Sequence, residues 1–147
     1  MGNFGSIIGN DFHKFLKLFV LVFFCNFFYN PMVASADSIS KASTAQINNI
    51  KVLLNRDVTV LDSGELKSSS HQNAHYVGLL LNISGIERHY GGVWLVSGDK
   101  NKPGMVLAVD GVAQQFSRAT PADKTNPPTA YMSDVECKRL MRYFDKN

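Results

Sequence analysis

Cysteine is almost missing from this chain: its 147 residues hold two, Cys25 and Cys137. So few exclude a disulfide-dense scaffold and a four-cysteine zinc site. Charge is thin as well. Charged residues make up 18% of the chain and leave a net +3 with no basic run, which excludes the electrostatic footprint of a nucleic-acid binder. No apolar run is long enough for a bilayer. The longest, Leu18–Phe28, is broken by Asn26 and is about half of the roughly 20 residues that a spanning helix needs. The chain also lacks internal repeats, a G-x-S-x-G nucleophile elbow and a glycine-rich phosphate loop ahead of a helix; Gly91-Gly92 leads into strand-type residues instead.

What is present first is an export signal over residues 1–36. His13, Lys14 and Lys17 outweigh Asp11, the apolar stretch Leu18–Phe28 follows, and Asn30-Pro31 ends any helix there. Ala34 and Ala36 then supply the small-x-small pattern that signal peptidase admits, placing cleavage before Asp37. A lipoprotein signal at Cys25 is rejected, because bulky Phe23 and Phe24 precede it. Removing the leader removes eight of ten phenylalanines and one of the two cysteines. The remaining segment, 37–147, carries 13 Lys/Arg against 11 Asp/Glu and is about 40% apolar, which suits a single small domain with a modest core. Cys137 is then a lone thiol, either buried or paired with another chain.

Within that domain, Ser43-Thr44-Ala45-Gln46 has capping-box spacing, and Ile47, Ile50 and Leu54 follow at helical period. A helix is expected over Thr44–Asn55. Val58–Leu61 reads as a short strand closed by the turn residues Asp62-Ser63-Gly64, with Glu65–Ala74 as a polar loop. His75–Ile83 is the clearest strand. Its odd residues Val77, Leu79, Leu81 and Ile83 share one face, and Tyr76, Gly78, Leu80 and Asn82 the other. Val93–Val96 and Met105–Asp110 read as two more strands, joined by a loop from Gly98 to Gly104 that Pro103-Gly104 closes. Gly111–Ser117 is a short helical piece, and Arg118–Thr129, with three prolines, an extended loop. Ser133–Glu136 has the spacing of a second capping box. Cys137, Leu140, Met141 and Phe144 then form an apolar helical stripe, with the thiol packed inward. The expected fold is α+β: a small antiparallel sheet of three to four strands, covered on one face by N- and C-terminal helices.

Candidate chemistry is sparse. His71 and His75 stand four apart, the spacing of two metal ligands on one helical turn. The Ser-rich surroundings oppose a helix there, so neither metal nor cofactor is expected. His89 completes the histidines that a ligand-binding or hydrolytic reading would use, with Glu65 or Glu87 as a further ligand. On the hairpin, Lys100 and Lys102 offer an acidic partner two cations. Tyr90 and Trp94 border the same hairpin, and Trp94 points outward if Val93 and Leu95 point inward; these four residues would then form a partner surface, unless a second covering element buries the tryptophan.

The segments Ala74–Val77, Gly92–Gly98, Lys102–Met105 and Ala108–Ala113, followed by Phe116-Ser117, resemble a group of small exported bacterial proteins of unknown function. In that group a W-L-x-S-G strand leads through a P-G turn to a strand ending near A-V-[ND]-G-x-A. The resemblance covers about Ala74 to Ser117, implies a bacterial envelope protein and assigns no catalytic residue. The resulting expectation is a periplasmic or secreted, non-catalytic protein of inhibitor, immunity or envelope-accessory type. It would bind another exported protein, with no nucleic-acid partner and no membrane attachment after cleavage. The competing expectation is a small-ligand or metal-binding protein or minor hydrolase using His71, His75 and His89.

Overall fold

The computed structural model describes residues 38–146. The leader, with Ala34, Ala36, Asp37 and Cys25, lies outside the described residues. Helix α1 (Thr44–Lys51) starts at the expected capping box: Ser43 Oγ accepts from Gln46 N at 3.1 Å, and Ser43 N donates to Gln46 Oε1 at 2.9 Å. It stops at Lys51, short of the expected Asn55, because Val52–Leu54 turn away and Leu54 bridges to Ser117. Strands β1 (Val58–Lys67), β2 (Ala74–Ile83), β3 (Tyr90–Asp99) and β4 (Lys102–Ala108) form an antiparallel meander. Helix α2 (Gly111–Phe116) follows, then β5 (Thr120–Pro121), which pairs parallel to β4, and a 3₁₀ turn (Ala122–Lys124). Helix α3 (Val135–Phe144) ends the fold. The sheet has five strands, in sequence order, rather than three or four. No helix among the described residues is long and apolar enough to cross a membrane.

The expected end of β1 is corrected. Asp62-Ser63-Gly64 does not close the strand but continues it, past a bulge between Val60 and Asp62. Ser63 N donates to Asp62 Oδ1 at 2.7 Å, and Tyr143 OH of α3 donates to Asp62 Oδ2 at 3.0 Å, so the bulge is tied to the last helix. A bulge reverses which face each later residue occupies. Gly64 and Leu66 now lie opposite Gly78 and Tyr76, while Glu65 and Lys67 lie opposite Val77 and His75. The Gly98–Gly104 loop is shorter than expected for the same kind of reason: β3 and β4 stay paired to Asp99–Lys102, leaving Lys100-Asn101 as the tip and Pro103-Gly104 within β4. Gly98 makes that turn feasible. Its φ is 89°, and a Cβ there would lie 2.7 Å from the Lys102 carbonyl oxygen.

The single covered face is also corrected, because both faces of the sheet are buried. Val77, Leu79, Leu81, Ile83, Trp94 and Val96 pack with Ile50 of α1 and Ala113 and Phe116 of α2. Tyr76, Val93, Leu95 and Leu107 pack with Cys137, Leu140 and Phe144 of α3. The inward stripe of α3 is as expected, with Cys137 and Leu140 fully buried and Met141 partly so. Glycines let this helix sit close. Cβ atoms at Gly64 and Gly78 would fall 2.9 Å from Leu140 Cδ2 and 2.5 Å from Phe144 Cε2.

Candidate functional site

Two constructions sit at the end of the sheet where β1 turns into β2. The first precedes α3. Asp134 caps that helix by position but makes no side-chain capping bond. Its Oδ2 instead accepts from Tyr76 OH at 2.7 Å and from Tyr131 N at 2.8 Å, while Asp134 N donates to Tyr131 O at 3.0 Å. Burial, and then the Asp134 carboxylate, push the Tyr76 phenol well above its ordinary range, so it remains a neutral donor. The expected capping box with Glu136 does not form, because Glu136 Oε1 accepts from Ser69 N at 2.8 Å in the β1–β2 loop. Burial opposes the charge on Glu136, but the hydrogen bonds from Ser69 prevail and hold its carboxyl below the usual value. The turn is thus fastened at both ends. It displays Tyr131, Met132 and Val135 at 48%, 54% and 68% exposure.

The second construction is on the opposite face of the sheet. Glu65, only 2% exposed, accepts through Oε1 from His75 Nδ1 at 2.8 Å and from Lys100 Nζ at 2.9 Å. Its Oε2 is buried without a partner. Ser40 pairs with Glu65 as an added edge bridge, and Ser43 Oγ donates to the Lys100 carbonyl, which seats the hairpin tip against the start of α1. Ser38, Ser40, Glu65, Lys67, His75 and Lys100 line a cleft of about 290 Å³.

No family model, curated protein or solved structure matches this chain.

The other residues singled out in the sequence disperse. Trp94 is fully buried and donates from Nε1 to Ser117 Oγ at 3.2 Å, so it cannot belong to a partner surface. Val93 and Leu95 do face α3, and α1 and α2 are the second cover that buries the indole on the other face. Tyr90 is half-buried against the Phe116 ring, 5.5 Å between centroids. Lys102 is exposed at the start of β4, and Lys100 forms an ion pair with Glu65 while its side chain stays 46% exposed. His71 contacts the Thr129 carbonyl at 2.6 Å through Nε2, pinning its loop, and His89 is exposed in the β2–β3 turn. Since Tyr90 pairs with Leu81, six residues along β2 from His75, His89 lies on the order of 20 Å from His75 at strand rise. The three histidines therefore share no site. No group of three or more His, Cys, Asp or Glu among the described residues is placed to hold a metal ion.

Sequence reasoning missed Tyr131, Met132 and Val135. One signal was available: Val135 is out of phase with the Cys137, Leu140, Met141, Phe144 stripe, so an inward stripe leaves it outside. Glu65 as the centre of a charge cluster was not legible, because its partners come from β2 and from the β3–β4 turn.

Proposed function

We propose that this is an exported bacterial protein, periplasmic or secreted after cleavage before Asp37, that acts by binding another exported protein. The observation that carries the reading is the Tyr131–Met132–Val135 surface. Three large apolar side chains stand exposed within five residues, on a turn already fixed by Asp134, Tyr76 and Glu136. Exposed apolar groups of this kind cost solubility unless covered. A preformed turn loses little entropy on docking, and aromatic and methionine side chains are favoured at the centres of interfaces. Partner binding thus moves from the hairpin residues Tyr90, Trp94, Lys100 and Lys102 to the turn before α3.

The test is quantitative co-purification from the envelope fraction, comparing the wild type with Met132→Asp and Val135→Asp. Both positions are exposed, so the variants should keep wild-type circular dichroism and melting temperature. The expected result is one partner recovered stoichiometrically by the wild type and at least tenfold less by either variant. Recovery unchanged by both substitutions would remove this surface from the reading. N-terminal sequencing of the protein recovered from its host is expected to begin at Asp37.

A further inference from the structure

The Glu65 cluster has no part in that surface and is an odd thing to build for stability. Burying a carboxylate is costly, and a well-packed apolar residue in its place is often neutral or better. The bulge in β1 is what brings Glu65 onto the His75 side of the sheet. There its Oε1 accepts from His75 and Lys100, and its Oε2 is buried without a partner. The carboxylate is therefore held almost wholly out of water between the groups it orients. Besides Glu65 and Leu66, the residues lining the cleft carry donors: His75, Lys100, Lys67, Ser38 and Ser40. Lys67 is the direct cross-strand partner of His75, so their Cβ atoms stand about 5 Å apart on one face. Lys67 forms no ion pair among the described residues. Lys67 and Lys100 against Glu65 leave the cleft with an excess positive charge. Its volume of about 290 Å³ lies at the small end for ligand sites, which suits a single compact group.

We propose that this cleft binds a small oxyanion-bearing ligand, a phosphate or carboxylate group, through Lys67, Lys100 and His75 Nε2, with Glu65 as the positioning residue. Glu65 accepts from His75 Nδ1–H, which fixes the ring and leaves Nε2 as the ring atom available to the anion. The groups facing that ring are Glu65 and Lys67 on β1 and Lys100 from the β3–β4 turn.

The experiment titrates inorganic phosphate, and separately acetate, into the purified protein at constant ionic strength, following the ring proton signals of His71, His75 and His89. The expected result is a saturable shift of His75 alone. Lys67→Gln, at an exposed position that leaves the fold intact, should weaken binding at least fivefold, and His75→Gln should abolish it as followed by calorimetry. Glu65→Gln should keep the fold but lose the saturable His75 ring shift, because the carboxylate that fixes the ring through Nδ1 is gone. Stronger binding of phosphate points to a phosphorylated ligand, stronger binding of acetate to a carboxylate, and equal binding to the shared oxyanion chemistry. Shifts that do not saturate, shifts shared by all three histidines, or unchanged affinity in Lys67→Gln would each overturn the proposal.

Discussion

Asp110 shows how a single side chain can serve local structure at a cost. It caps α2, its Oδ1 accepting from Ala113 N at 2.7 Å, while Oδ2 is buried without a partner. Burial raises its pKa above 3.8 even though backbone amides oppose the shift. The folded state therefore keeps this proton to higher pH than the unfolded chain does. Its contribution to stability is complete below about pH 3.8 and is lost as pH rises through the raised folded value. Asp110→Asn keeps the capping oxygen and removes the titration. In urea unfolding from pH 3 to 7, the variant should gain on the wild type as pH rises; a difference that stays constant across that range would contradict the shift. Nearby Cys137 is pushed up to about 12, by burial first and then by the charges of Asp110 and Asp134, so its thiol behaves as a small apolar group. That role was legible in the sequence, since its place on the α3 stripe is set by helical period alone.

At the level of elements, α3 and its seat are the tightest fit in the fold. Leu140 is fully buried between β1 and β2, and Leu140→Ala should cost about 2–5 kcal/mol. Gly78→Ala should cost about 1–3 kcal/mol by overpacking against Phe144, because its new Cβ would need 2.5 Å from an aromatic carbon. Chemical denaturation of the two variants checks both; a loss below about 0.5 kcal/mol in either would mean the helix is free to slide. The two helix faces and the capping box at Ser43 follow from residues three and four apart, which is why they could be read locally. The course of β1 could not. Asp62-Ser63-Gly64 has turn chemistry, and it becomes a continuing bulged strand only because β2 pairs on and Tyr143 of α3 supplies a donor to Asp62.

Across the whole molecule, the two-sided burial of the sheet decides which residues are available to anything else. Val93 and Leu95 point toward α3, while Trp94 points toward α1 and α2, and all three are buried. The sole tryptophan thereby becomes a probe of the fold. Its emission should be blue-shifted, and acrylamide should quench it far less in the native protein than in urea. Equal quenching in both would put the indole at the surface and return it to a partner site. With Trp94 withdrawn, three exposed large apolar side chains fall close together in sequence before α3, at Tyr131, Met132 and Val135, while Val52, Leu61 and Met105 stand exposed in other elements.

By itself the sequence determined the α+β class, the start of α1, the alternation of β2 and the inward stripe of α3, because each depends on a period of two or on three-to-four-residue spacing. It also determined that cysteine could not staple the described domain, since only Cys137 is present there. Only the tertiary structure decided that the sheet has five strands and two covers, that His71, His75 and His89 part company, and that Glu65 sits under His75 and Lys100. Those outcomes depend on contacts between distant segments: a bulge register fixed by β2, a hairpin tip seated on α1, and helices that choose opposite faces. No local pattern encodes such contacts, so the scarcity of cysteine and charge narrowed what the chain can be, while packing chose which of its residues meet.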